Sequence, residues 1–195
     1  MDHKHLLQEL QNLHRMNDQL EAFCEFPNDL KFKQVQPNHM GACDLFTQDT
    51  DLFGEVYAQF NSLLRALAPV AYWRDTYAGT NISDDFRKTF GCYCLIGVNG
   101  FFQSDRMHSY MVYMPAGLYY PWHQHPAEEL YLCLAGEAVF KKDLEEEKVL
   151  REGEITIHGS NRPHATQTHD HPVLCYVVWR NELTKPPVLT YENAN

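Results

Sequence analysis

Two imidazoles on alternate residues, a carboxylate four residues later and a glycine at each end constrain this chain more than any other feature. They lie in Gly117–Leu118–Tyr119–Tyr120–Pro121–Trp122–His123–Gln124–His125–Pro126–Ala127–Glu128–Glu129–Leu130–Tyr131, which closes at Gly136. An extended strand repeats every two residues, so His123 and His125 point to one side of a sheet. After a bend at Pro126, Glu129 on the next extended stretch points to that side as well. Two neutral nitrogens and a hard oxygen held together suit a divalent first-row transition metal. His164, in Asn161–Arg162–Pro163–His164, is the fourth candidate ligand. These residues predict a metal centre inside a β-barrel.

The flanking patterns support such a barrel. From Cys92 onward, short β-rich runs alternate with Gly, Pro and charged turns, and the expected strands are 92–98, 108–114, 118–124, 128–135, 137–142, 154–158, 164–168 and 173–179. Strands at this spacing form a sandwich or barrel. The first ninety residues read as helical. Leu6, Leu10, Leu13, Leu20 and Phe23 recur at helical spacing, widened by Leu7 and Met16. A second helix is expected from Thr50–Asp51 to just before Pro69, and a third over Ser83–Phe90 with Ser83 or Asp84 as cap. The predicted organisation is a helical segment, 1–90, packed on a barrel, 91–195.

Composition excludes several functions. The 195 residues suffice for one domain with a sizeable core. A formal charge of −10 argues against a nucleic-acid or anionic-membrane surface, both of which need clustered Lys and Arg. Part of that charge sits in Asp143–Leu144–Glu145–Glu146–Glu147, expected as a solvated hairpin tip. The start Met1–Asp2–His3–Lys4–His5 leads into an amphipathic pattern, not an apolar block, so a cytoplasmic chain without a membrane span is expected. The six cysteines read as reduced, buried thiols, with Cys92 and Cys94 on one face of a strand. His169–Asp170–His171 reads as an exposed turn, and His158 as core filler or a neighbour of the ligands.

The spacing from Gly117 through His123, His125 and Glu129 to Gly136 resembles the first motif of the cupins in full. The second motif, Gly153 to Thr168, is matched in part. Gly159, Asn161 and Thr168 stand where that family usually has Pro, Gly and Asn, and His164 keeps its place. The resemblance covers roughly 92–180. It implies a mainly β, single-domain cupin (a double-stranded β-helix, or jelly-roll, barrel) behind the helical N-terminal segment. It also implies one divalent transition metal (Fe, Mn, Zn, Ni or Co) on His123, His125, Glu129 and His164.

Phenols narrow the chemistry further. Tyr131 follows Glu129 by two residues and points into the same cavity, and Tyr120 sits at its mouth. A free phenol has a pKa of about 10, and a nearby dication favours its phenolate. The run Tyr120 to Tyr131, with Val177–Val178–Trp179–Arg180, is similar to the small cupin dimethylsulfoniopropionate lyases, as is a helical segment before a single barrel. That resemblance implies a small zwitterionic substrate, cleaved to dimethyl sulfide and acrylate. Tyr131 or Tyr120 would serve as base, and Trp122, Trp179 and Tyr120 as aromatic faces for the sulfonium.

Three other readings remain open on the residues alone: a cupin dioxygenase, a metal-dependent isomerase and a non-catalytic small-molecule-binding cupin. Glu129 counts against a three-histidine thiol dioxygenase, and scattered cations count against a phosphosugar isomerase. The acidic helices lack a basic recognition helix of the kind a sensory cupin carries. A homodimer is compatible with a single barrel, although no sequence feature marks its surface.

Overall fold

A computed structural model describes residues 3–190. The Met1–Asp2 start used above and the last five residues of the expected barrel segment lie outside the described residues. The chain begins with α1 (His3–Arg15), α2 (Asp18–Phe23), the two-residue strand β1 (Lys31–Phe32), α3 (Gly41–Gln48) and α4 (Ala58–Leu67). A 3₁₀ turn at Ala68–Val70 and α5 (Asp84–Thr89) complete the helical part. There follow β2 (Gly91–Ile96), β3 (Phe102–Gln103), β4 (His108–Met114), β5 (Tyr119–Gln124), β6 (Glu128–Lys142), β7 (Lys148–Arg151), β8 (Ile155–His158), β9 (His164–Gln167), β10 (Val173–Arg180) and β11 (Val188–Leu189).

Strand β6 belongs to two sheets. Its first half lies between β10 and β8, and through β10 it joins β4, β2, β3 and β1. Its second half lies between β7 and β9, and β9 continues to β5 and β11. The handover falls at Gly136, whose φ of +71° is left-handed. A Cβ there would sit 1.8 Å from the Pro172 carbonyl oxygen, so only glycine fits. The result is the double-stranded β-helix barrel, mainly β, with α1–α4 packed on one outer face and Phe86 of α5 packed with the interior cluster.

Alternation sorts the first sheet into two buried faces. Leu130, Leu132 and Leu134 of β6, with Leu174, Tyr176 and Val178 of β10, pack against Leu6, Leu10, Leu20, Phe60 and Leu64 of the helices. Tyr131 and Cys133, with Cys175, Val177 and Trp179, face the barrel interior, joined there by Cys92 and Cys94. With both faces covered, β2, β4 and β10 are buried almost along their whole length.

Several elements differ from the sequence expectation. The stripe from Leu6 to Phe23 is two helices. It breaks at Asn17, whose side chain accepts the Leu20 amide at 3.0 Å and caps α2. The expected helix from residue 50 starts only at Ala58. The Glu152 carboxylate takes the Glu55 and Tyr57 amides at 2.9 and 3.1 Å, holding residues 55–57 in a bend and turn ahead of the helix. The expected strands 128–135 and 137–142 are one strand, because Gly136 bends β6 without breaking its pairing. Helix α3 and strands β1, β3, β7 and β11 were not anticipated. Ser83 does cap α5, accepting the Phe86 amide at 3.1 Å, and residues 143–147 do form the exposed β6–β7 turn. All six cysteines are free.

Candidate metal centre

A bulge in β5 aims the first half of the site. Its register against β9 shifts between Tyr120 and His123, so both side chains face inward although three residues apart. Their rings stack at 3.9 Å with 15° between planes. Trp122 sits in the bulge itself, half-buried, and its carbonyl accepts the Thr190 amide. Glu129 enters from β6 directly across from His158 of β8 and Trp179 of β10. His164 enters from β9, paired with His123.

Backbone carbonyls set the histidine tautomers. His123 Nδ1 lies 2.8 Å from the Pro121 oxygen, His125 Nδ1 2.9 Å from that of Ala127, and His164 Nδ1 2.8 Å from that of Arg162. A carbonyl only accepts, so each Nδ1 carries the hydrogen and each Nε2 presents a lone pair. Ligand atoms of His125, Glu129 and His164 all lie within 4.8 Å of one another, and the three residues are buried. His125 Nε2 and His164 Nε2 sit 3.3 and 3.2 Å from Glu129 Oε2, buried and without a hydrogen-bond partner. Lone pairs facing a carboxylate at that distance repel unless a positive centre stands between them. Atoms bound at 2.0–2.2 Å to one ion are about 3.0–3.5 Å apart, so the donor set fits a transition metal. His123 borders the trio, its ring centroid 4.1 Å from that of His164.

Glu129 is tightly held. The Trp179 indole N–H donates to its Oε1 at 2.6 Å, and His158 Nδ1 lies 3.2 Å from its Oε2. Burial opposes its ionisation, but the surrounding imidazoles, His125 first and then His158 and His164, outweigh that and hold the carboxyl well below its ordinary range. Burial, reinforced by His164, pushes His158 down to about 3, so it is a neutral donor to Glu129. The adjacent Glu128, on the other face of β6, pairs instead with Arg180 and Asn181.

The two phenols differ in their partners. Tyr120 exchanges a hydrogen bond with Tyr77 at 2.7 Å and packs under Phe90, 4.5 Å between centroids. Tyr131 lies against Phe140 and His158, at 5.3 and 5.5 Å. Burial first, then the neighbouring Tyr77 for Tyr120 and the Glu129 charge for Tyr131, raises both phenols well above their ordinary value.

The departures in the second motif have local explanations. Asn161 adopts a φ of +54°, the left-handed conformation that Asn tolerates in place of Gly. Its amide donates to the His125 carbonyl at 2.8 Å, tying the two motifs together. The Thr168 hydroxyl donates to the Pro115 carbonyl at 2.6 Å and accepts the Leu118 amide at 2.9 Å. His169 and His171 are exposed, outside the site. Sequence reasoning undervalued His158 and missed Tyr77. His158 is marked in sequence only by its place on the strand opposite Glu129, and nothing local marks Tyr77.

A double-stranded β-helix with a buried His/Glu donor set of this spacing is a cupin. The model of the dimethylsulfoniopropionate lyase family matches residues 6–175, and the chain belongs to that family. It is 45% identical over 188 residues to the dimethylsulfoniopropionate lyase DddQ of Ruegeria pomeroyi, covering 96% of this chain and 94% of the relative. The crystal structure of that DddQ superposes with a TM-score of 0.96 at 44% identity, covering 98% of both chains. A structure reported for the DMSP lyases RdDddP and RnDddQII superposes at 0.90 with 29% identity, covering 96% of both. The chain is accordingly a carbon–sulfur lyase of the cupin type. No helix of the described residues is long and apolar enough to cross a membrane.

Proposed function

We propose that this protein is a metal-dependent lyase that cleaves dimethylsulfoniopropionate to dimethyl sulfide and acrylate. The observation that carries the reading is 45% identity to a lyase of that name over 96% of the chain. His125, Glu129 and His164 would hold one divalent iron, manganese, zinc, nickel or cobalt ion, with His123 as fourth donor. The ion, when bound, supplies a Lewis acid for the substrate carboxylate and a positive charge that lowers nearby phenol pKa values.

Tyr131 is the base in this reading. Its phenolic oxygen takes the α-proton, the C–H pair becomes the new double bond, and the β-carbon releases neutral dimethyl sulfide with the C–S pair. In the protein alone, burial and the Glu129 charge hold Tyr131 protonated, so the base role requires the metal's charge. Tyr120, hydrogen-bonded to Tyr77, is the alternative base or orients the substrate. The faces of Tyr120, Trp122 and Trp179 are the candidates for the sulfonium. The helical segment 1–90 would serve as the outer layer of the 91–195 barrel. Six unpaired cysteines support a reducing, cytoplasmic setting.

The test is headspace detection of dimethyl sulfide, with acrylate measured in parallel, from protein stripped of metal and reloaded with each of the five ions. Metal-dependent release with matching acrylate is expected. Equal release from stripped protein would overturn the metal requirement, and no release with any ion would overturn the substrate.

A further inference from the structure

Beside the metal centre lies a second cavity of about 400 Å³, its lining including Arg74, His108, Tyr110, Trp179, Asn99 and Lys185. Trp179 is a shared wall, because its indole N–H reaches Glu129 in the site already described. The Arg74 guanidinium lies over the Tyr110 ring, 4.7 Å from its centroid. It forms no ion pair with a carboxylate among the described residues. Cys92 shares a side-chain hydrogen bond with the guanidinium, but neither it nor Cys94 balances the charge, since burial raises both thiols above their ordinary range and keeps them neutral. Asp75, also in the lining, is taken by Arg87, whose Nε donates to it at 2.9 Å. His108 is buried and contacts the Tyr110 hydroxyl at 3.3 Å through Nδ1. A half-buried guanidinium over an aromatic ring, facing a cavity with no free carboxylate, is a place for an anion.

We propose that this cavity binds a small monocarboxylate through the Arg74 guanidinium, with His108 and Lys185 contributing to its lining. On a protein of charge −10 it is a local exception to the prevailing sign. Within the lyase reading the carboxylate is either acrylate leaving the metal centre or the carboxylate end of the substrate arriving. Naming those two acids rests on that reading, whereas the site does not.

The probes are sodium acrylate and sodium propionate, titrated by calorimetry into metal-stripped and metal-loaded protein. Both acids are expected to bind in both forms. Arg74→Met should weaken them by at least about tenfold, the scale of one lost charge-assisted hydrogen bond, with Arg74→Lys keeping part of the affinity. Arg74-dependent binding of dimethylsulfoniopropionate to stripped protein would identify an entry subsite. Binding of the simple acids alone would identify an exit subsite. Acid binding that needs the metal, or that is unchanged in Arg74→Met, overturns the proposal. Should Arg74→Met fail to fold, His108→Gln and Lys185→Glu take its place: weaker binding with native melting supports the site, and unchanged binding in both overturns it. Arg74-dependent acid binding without any dimethyl sulfide release would remove the lyase reading and leave the site standing.

Discussion

Leu130, Leu132 and Leu134 of β6 pack against the helices, while Glu129, Tyr131 and Cys133 of the same strand face the barrel interior. Strand β10 repeats the division, with Leu174, Tyr176 and Val178 on the helical side and Cys175, Val177 and Trp179 inside. Both faces are equally buried, yet only one carries titratable groups aimed at a common point. The helical face is aliphatic and aromatic, so shape and area govern it. The interior face holds a carboxylate, phenols and imidazoles, each needing a partner because water is excluded. Alternation therefore separates stability from chemistry within single strands.

The sharpest challenge to that separation is Tyr131→Phe. With Tyr131 as the proposed general base, its loss should lower dimethyl sulfide release by about 100- to 10,000-fold, with metal content and melting unchanged. Retained release would transfer the base role to Tyr120. One residue along the strand, Leu132→Ala should behave in the opposite way. It removes a fully buried side chain and should cost roughly 2–5 kcal/mol in chemical denaturation, with turnover per folded molecule preserved. A large fall in turnover would mean the two faces are coupled.

Trp179→Phe keeps the ring and removes the donor to Glu129. Metal affinity should drop about 10- to 100-fold, measured by competition with a chromophoric chelator, and stability little. Tyr77→Phe deletes one hydrogen bond to Tyr120, a loss on the order of 0.5–1.5 kcal/mol. It should reduce turnover several-fold if Tyr120 orients the substrate, and leave it unchanged if it does not.

The smallest effect belongs to the helical face. Burial lowers the pKa of His14, only partly offset by Glu21. A histidine depressed in the fold is protonated first in the unfolded chain, so stability is lost as pH falls below about 6.5. Denaturation midpoints at about pH 7.5 and about pH 5.5 should differ less in His14→Gln than in the parent. An unchanged difference would assign the acid sensitivity elsewhere, with His158 the first interior group to try.

Much of the site was legible locally. His123, His125 and Glu129 follow from a spacing of two and four residues on extended chain, and Gly136 from the turn that ends it. Even the irregular Asn161 keeps its place because Asn tolerates the left-handed backbone there. Other residues carried no such mark. Tyr77 reaches Tyr120 across 43 residues, and His158 meets Glu129 across 29. The start of α4 depends on Glu152, which lies 95 residues beyond Tyr57. Tyr120 was placed at the barrel mouth by sequence, but the β5 bulge brings its ring onto His123.

The amino-acid sequence alone determined the barrel, the gathering of His125, Glu129 and His164 at one candidate site and the hairpin turn at 143–147. These depend on strand periodicity, glycine freedom and charge, which act within a few residues. Only the tertiary structure decided the tautomers of His123, His125 and His164, the grip of Trp179 and His158 on Glu129, the partner of Tyr120 and the lack of a carboxylate partner for Arg74. Those properties come from which groups share a water-free space, and that depends on contacts between residues far apart along the chain.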